Sequence, residues 1–402
     1  MERGPAGTTR RFERIGLCIT EDWFALSHFK PLIAALGSVA RQTTVIARLS
    51  ERSRELAALG VEVVDLDWGR RSLGVADQLA TARRLAAIAR ERRLEALHLV
   101  AMKPIVIGSL AALMLPGRPL AFHFTGLGHL FISDAPRIRL ARRISMGAVR
   151  MAMRKRPWIA LAENEDDLAD LARAGLPLSE ARLLPGAGID PEEYRPTSRR
   201  ADGPIVIGCL ARMIRSKGID VLAEAHALLR ARGLAVELHL YGDIDPGNPE
   251  ALDEGVLNAI CAGEGVVWHG RTDDAARAWN ACDIAVLAAR SREGMPRSVL
   301  EAAACGKPLV VTDVPGCRHV IRDGIEGFVV PPEDPEALAR ALERLVASED
   351  LRRRMGERGR ARILEGFTSA VVTERLLSAY EKIRPAAVPV GAPRPGEARA
   401  AP

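Results

Sequence analysis

Two stretches in the second half of the chain carry residue types that grip anions and polar hydroxyl groups. In "IVIGCLARMIRSKG" an apolar run ends near Arg212, and Lys217 follows just before a helical pattern. A guanidinium and an ammonium at one strand exit suit a diphosphate, Arg through paired hydrogen bonds and Lys as a mobile point charge. Taken alone, the pair reads equally well as two surface charges. In "SREGMPRSVLEAAACGKP" two carboxylates, Glu293 and Glu301, flank an alanine-rich helical pattern. Pro296 reads as its first helical residue, so the backbone N–H groups from Met295 to Ser298 face outward for phosphate oxygens, with Pro296 itself offering none. Glu293 precedes that helix and reaches a ligand's hydroxyl groups. Glu301 admits two readings: an i,i+4 ion pair with Arg297, or a bond to a pair of ribose hydroxyls that offsets the cost of burying a charge among Val299, Leu300, Ala302, Ala303 and Ala304.

These residues need a scaffold that converges on one edge, and the alternation of patterns supplies it. "RIGLCIT", "QTTVIARL", "VEVVDLDW", "ALHLVAM" and "PLAFHFT" read as strands separated by helical stretches, and the series resumes with "IVIGCLARM", "VELHLYG", "GVVWHG", "DIAVLAA" and "PLVVTD". Strands alternating with helices predict parallel sheets, whose loops gather ligands at the carboxyl edge. The fold class is therefore α/β, with two consecutive doubly wound units over 14–195 and 205–366. Residues 1–13 and the Pro- and Ala-rich 385–402 are expected to be disordered, with 196–204 as the core of a linker stretch "DPEEYRPTSRRADGP". Residues 367–384 read as a terminal amphipathic helix with Val371, Leu376, Leu377 and Tyr380 as its apolar positions.

Length and composition agree. The 402 residues are 48% hydrophobic and 27% charged, enough for two cores. No stretch approaches the roughly 20 consecutive apolar residues of a membrane span, and the polar start lacks the apolar core of a signal peptide. The six cysteines are scattered, with no C-x-x-C pair or zinc spacing, and read as reduced cytoplasmic thiols. The net charge of +6 favours anionic partners, but no nucleic-acid-binding motif accompanies it.

In the first unit, "LAFHFTGLGHLF" places His123 near a strand end before a glycine turn that lets backbone approach a ligand. His123 is either a residue facing the reaction site or a buried histidine bonded to a neighbour. Gly126-Leu127-Gly128 lacks the third glycine of a dinucleotide fingerprint and does not follow the first strand, which excludes a nicotinamide cofactor. Lys103, at the exit of "LHLVAM", is a candidate for an anionic acceptor group or a solvated lysine. Residues 137–158 hold eight basic side chains and no acidic one: Arg137, Arg139, Arg142, Arg143, Arg150, Arg154, Lys155 and Arg156. With Leu140, Ile144, Met146, Val149, Met151 and Met153 between them and Trp158 at the end, they read as a basic amphipathic helix for an anionic membrane surface, or as one whose apolar side joins the core.

"ARMIRSKG" together with "SREGMPRSVLEAAACGKPLVVTDVPG" resembles the signature of retaining GT-B glycosyltransferases of family 4, and "YGDIDPGNP" and "DGIEGFVVPPEDPEALARAL" are typical of it as well. The resemblance implies a GT-B fold of two Rossmann-like domains facing across a cleft, the first for the acceptor and the second for the donor, with the terminal helix crossing back. It implies that Arg212 and Lys217 hold the donor diphosphate, that Glu293 meets the sugar, that Glu301 holds the ribose, that Gly294, Met295 and Ser298 belong to the donor-binding set, that Arg271 and Thr272 of "HGRTDD" lie against the base, and that His123 faces the donor sugar. Here Glu293-Gly294-Met295-Pro296 departs from the common E-x-F-G and matches the E-G-x-P form of a polysaccharide-building subgroup. The implied reaction moves a hexose or N-acetylhexosamine from a nucleotide diphosphate sugar, expected to be UDP-linked, to a polyprenyl-diphosphate-linked saccharide at the inner face of the cell membrane, with no metal, no other cofactor and no nucleic acid. A soluble transferase for a small metabolite, or a non-catalytic nucleotide-sugar-binding protein, are the alternatives.

Overall fold

The computed structural model describes residues 10–69, 74–197, 203–245 and 247–383. The expected disorder at 385–402, most of that at 1–13, and the middle of the linker lie outside the described residues. Residues 12 and 13 already belong to a strand, so regular structure begins earlier than expected.

Among the described residues the strands form two parallel sheets. The first contains β1 (Phe12–Glu21), β2 (Ala40–Arg48), β3 (Glu62–Asp65), β4 (Ala96–Val100), β5 (Leu120–Phe124), β6 (Trp158–Ala162) and β7 (Arg182–Leu183), in the order β3-β2-β1-β4-β5-β6-β7. The second contains β8 (Ile205–Leu210), β9 (Val236–Tyr241), β10 (Val266–Trp268), β11 (Ile284–Leu287), β12 (Leu309–Thr312) and β13 (Gly327–Val330), in the order β10-β9-β8-β11-β12-β13. The inner strands are near-continuous runs of buried residues, as in "LHLV" of β4 and "IAVL" of β11, because helices cover both faces of each sheet. Strand order reverses between β1 and β4 in one sheet and between β8 and β11 in the other, which opens a crevice at each carboxyl edge.

The terminal helix Ser369–Tyr380 returns to the first domain. It packs on the helix Lys30–Val39, and Val372, Leu376, Ala379 and Tyr380 join the core on that face of the first sheet. Val372, rather than Val371, is the fully buried position. A single bridge between Ile189 and Thr368 ties the two crossing segments together.

Candidate functional site

The crevices of the two sheets face one another and merge into a cleft of about 1580 Å³. Arg212 and Lys217 enter it from the exit of β8, and Glu293 to Ser298 from the exit of β11, so the two motifs meet where the strand order reverses. Arg271, Thr272, Glu301 and, on the opposite wall, Lys103 also line it. Arg212 Nη1 lies 3.0 Å from Asp245 Oδ2, and Lys217 Nζ lies 2.6 Å from Glu293 Oε1. Thr272 Oγ1 accepts from the Asp274 N–H, and Arg271 pairs with Asp273 at 3.3 Å.

Two expectations about the second motif change. Pro296 is the cap residue before the helix Arg297–Ala304, not its first residue, and adopts an extended conformation with ψ of 113°. Its carbonyl accepts from Val299 and Leu300, so a proline there costs the helix no hydrogen bond. Glu301 satisfies the ion-pair reading: its Oε1 accepts from Arg297 Nε at 2.7 Å and from the Tyr194 hydroxyl at 3.0 Å. Tyr194, in the stretch read as linker, is buried and supplies part of the site.

The first domain departs further from expectation. His123 does not line the main cleft. It sits within β5, fully buried, behind Phe29, whose ring meets it edge-on at 5.7 Å. Its Nδ1 lies 3.2 Å from Nε2 of His98, whose Nδ1 in turn is 2.8 Å from the Tyr380 hydroxyl. Burial pushes the His123 imidazole down to about 3, so it is neutral in ordinary buffers. Lys103 donates to the Gly69 carbonyl, and burial lowers its ammonium while Asp67 acts to raise it. The glycine turn after β5 does admit a close approach, but of protein: a Cβ on Gly126, whose φ is 99°, would lie 3.1 Å from the Gly294 nitrogen.

Residues without any functional assignment in the sequence reading complete this wall. His28 lines the cleft and is pushed down to about 3, first by burial and then by the charges of Arg297, Arg212 and Lys217, a measure of how electropositive the donor side is. At the exit of β6, Glu163 faces the Met295 N–H, and burial drives its carboxyl up to about 8, with Asp167 and Glu293 adding to the shift. Asn164 caps the helix Glu165–Arg173 by accepting from the Asp167 N–H, and its Nδ2 donates to the Gly294 carbonyl at 2.9 Å. Arg292 crosses between the domains to Asp167 and Asp170, each at 2.6 Å, and Arg318 reaches Asp166 at 2.8 Å. Burial lifts Asp167 to about 6, against the pull of Arg292. A signal existed in "AENEDDLADL", an Asn before an acidic first turn, which marks a helix start. Nothing local says that the same Asn reaches across a cleft.

The basic stretch forms the helix Pro136–Arg154, away from the cleft, and it has two apolar faces. Met146, Val149, Ala152 and Met153 are buried in the first domain's core, while Leu140, Ile144 and Met151 point outward at 58%, 63% and 48% exposure. Arg143, Arg154 and Lys155 are exposed with that outer stripe. Three of the expected surface cations turn inward instead. Arg142 reaches Asp134 and the Phe131 ring, Arg150 packs against Gly175, and Arg156 donates to the carbonyls of Ala152 and Leu115 at 3.0 Å each. Trp158 is not on the helix; it opens β6 and packs against the core.

Residues 204–348 match the family model "Glycosyl transferases group 1". The chain is 25% identical over 376 residues to the N,N'-diacetylbacillosaminyl-diphospho-undecaprenol alpha-1,3-N-acetylgalactosaminyltransferase of Campylobacter jejuni, spanning 89% of this chain and 96% of the relative. It is 34% identical over 180 residues to the lipopolysaccharide core biosynthesis glycosyltransferase LpsE of Rhizobium meliloti, where the match spans 44% of this chain and 49% of the relative. In fold it is similar to HepE of Anabaena, solved in complex with UDP and glucose, with a TM-score of 0.76 at 17% identity over 92% of this chain and all of that one. The sucrose-phosphate synthase of Thermosynechococcus elongatus is similar at a TM-score of 0.75 and 19% identity, over 92% of this chain and 98% of that one. With two Rossmann-like domains facing one cleft, and residues 204–348 matching the group 1 model, the chain is a glycosyltransferase of GT-B fold.

Proposed function

We propose that the protein transfers a hexose or N-acetylhexosamine from a nucleotide diphosphate sugar, UDP-linked, to a polyprenyl-diphosphate-linked saccharide in cell-surface polysaccharide synthesis, with retention of configuration. The observation that carries this reading is the convergence of Arg212, Lys217, Glu293 and Glu301 from two motifs of the second domain on one cleft. Lys217 and Arg212, today held by Glu293 and Asp245, would take the donor diphosphate; the N-terminal amides of the helix Arg297–Ala304 would add to them. Both bonds to Glu301 fall on Oε1, which favours Oε2 as the acceptor for ribose hydroxyls. Arg271 and Thr272 stand at the base end, and Gly294, Met295 and Ser298 beside the sugar and phosphates.

In this reading the bond between the anomeric carbon and the leaving phosphate oxygen breaks as the acceptor hydroxyl attacks from the same face. The acceptor's proton passes to the departing phosphate oxygen, so no base from the protein is required. The growing charge on the diphosphate is stabilised by Arg212, Lys217 and helix amides, which assigns no role to a metal or other cofactor. His123, buried behind Phe29, is left without a chemical step.

A lipid-linked acceptor is supported by the Campylobacter relative, a transferase to a diphospho-undecaprenol-linked sugar. The outer stripe of Leu140, Ile144 and Met151 flanked by Arg143, Arg154 and Lys155 is suited to peripheral contact with an anionic cytoplasmic leaflet. No helix among the described residues is long and apolar enough to cross a membrane. The test is to incubate the full-length protein with UDP-, GDP- and ADP-sugars and an undecaprenyl-diphosphate-linked saccharide, following nucleotide release and the anomer formed. Release from UDP-sugars with the α or β configuration preserved is expected; no release from any donor overturns the reading.

A further inference from the structure

We propose that Asn164 and Glu163 are positioning residues for the transfer reaction: from the first domain they hold the two polar groups of one peptide unit, Gly294–Met295, in the loop that carries Glu293. The assignment rests on the reading of that loop as the donor loop.

The carbonyl of Gly294 and the N–H of Met295 lie on opposite edges of a single rigid plane. Asn164 Nδ2 donates to the carbonyl at 2.9 Å in a buried setting, and the Glu163 carboxyl faces the N–H. The orientation of the Asn164 amide is not arbitrary. Its Oδ1 accepts the Asp167 N–H at 2.8 Å, which leaves the nitrogen for Gly294. The fit is close on a third side as well, since a Cβ on Gly294 would stand 2.3 Å from Glu163 Oε2 and 2.6 Å from the Thr125 carbonyl oxygen. A Cβ on Gly316, from the second domain, would meet the Gly294 oxygen at 2.5 Å. The peptide unit is thus held at both of its polar groups, with no room for a side chain on Gly294 or Gly316 beside it.

What the plane aims is the chemistry on either side of it. Glu293, which holds Lys217, comes immediately before, and Pro296, which caps the helix that carries Glu301, comes immediately after. Rotating the plane would swing both. Because the grip comes from the other domain, the donor loop is in its working geometry only when the two domains are apposed. Arg292, one residue before Glu293, secures that apposition on Asp167 and Asp170.

Glu163 has an additional signature. The groups that face it are Asp167 on its own side, itself held by Arg292, and Glu293 from the donor loop, itself held by Lys217. Burial and these two carboxylates favour its neutral form near pH 7, whose carbonyl oxygen can still accept from an N–H. Ionisation above about 8 strengthens the bond to the Met295 N–H but sets a buried negative charge against two others, and because burial is the largest cause the carboxylate is driven toward solvent and the alignment loosens as pH rises.

The test uses the full-length protein and four readouts: kcat and KM with the most active of the nucleotide sugars above, UDP binding by calorimetry, melting temperature, and amide exchange of 290–296 with UDP bound. Asn164→Asp keeps an oxygen to cap the helix Glu165–Arg173 but turns a second acceptor toward the Gly294 carbonyl. We expect it to stay folded, melting a few degrees below the parent, and to bind UDP within about threefold of it, yet to lose about ten- to a hundredfold in kcat and exchange faster in the loop. Glu163→Ala should lose kcat similarly, while Glu163→Gln, which still presents a carbonyl oxygen, should keep most of it and flatten the alkaline fall. Parent-like kcat and exchange in Asn164→Asp overturn the proposal. So does a Glu163→Gln variant as impaired as Glu163→Ala, or an Asn164→Asp variant whose kcat loss is matched by an equal loss of UDP affinity. UDP binding that ignores Lys217→Ala would instead remove the donor-site reading beneath it.

Discussion

The two domains share an architecture but make their site residues in different ways. In the second domain, Arg212, Lys217, Glu293 and Glu301 come from two contiguous motifs at adjacent strand exits, so local order along the chain is also order in space. In the first domain, His28, Lys103, Thr125 and Glu163 reach the cleft from four separate segments, each through a different helix or loop. The lesson is that a ligand's phosphates and ribose can be held by a motif, whereas the wall that closes over them is assembled by packing.

The contrast is most directly broken through the motif residues. Lys217→Ala or Glu293→Ala removes one partner of a 2.6 Å pair at the bottom of the cleft, and a loss of about a hundred- to a thousandfold in nucleotide release is expected. If either retains near-parent turnover, the second domain is no more motif-driven than the first. Gly294→Ala tests the seam between them. Its methyl group must displace either Glu163 or the Thr125 backbone, and overpacking of this kind costs about 1–3 kcal/mol of stability. Turnover should fall more than UDP affinity does.

His123 sharpens the comparison from the other side. A general acid or base removed from the site would cost about a hundred- to ten-thousandfold in rate. Buried beside His98, His123→Asn should instead leave kcat within a few-fold and lower stability by about 1–3 kcal/mol, read by denaturant unfolding. The pH dependence has a definite sign. The folded-state value lies well below 6.5, at about 3, so the folded protein resists protonation that the unfolded chain accepts. Stability from His123 is present above about 6.5 and is lost as pH falls toward 3; in His123→Asn that acid-side slope should be shallower. The smallest effect on the folded protein is expected at the outer stripe. Leu140→Glu and Ile144→Glu should change stability by no more than about 0.5 kcal/mol and leave UDP binding intact, yet weaken flotation with anionic liposomes. Unchanged flotation removes the membrane contact.

Much of this is legible in the sequence. The alternation of apolar runs and helical periods dictated two parallel sheets, because strands buried on both faces must read as continuous hydrophobic segments. The two motifs were legible for the same reason that the second domain is simple: strand, loop and helix N-terminus are consecutive in sequence. Reading the terminal helix as one that returns to the first domain rested on resemblance, and its packing on Lys30–Val39 bears this out.

The chain alone determined which side chains could meet a diphosphate and a sugar, since those depend on residue type and on nearest neighbours. Only the tertiary structure decided that His123 lies behind Phe29, that Glu301 also accepts from Tyr194, and that the outward face of Pro136–Arg154 is apolar. Each of these depends on which distant segment packs alongside. The opening motif around Glu293 belongs to both accounts: its carboxylates and its proline are properties of the sequence, but the direction of the Gly294–Met295 peptide is set by Asn164, 130 residues away, because a flexible loop takes its orientation from whatever satisfies its polar groups.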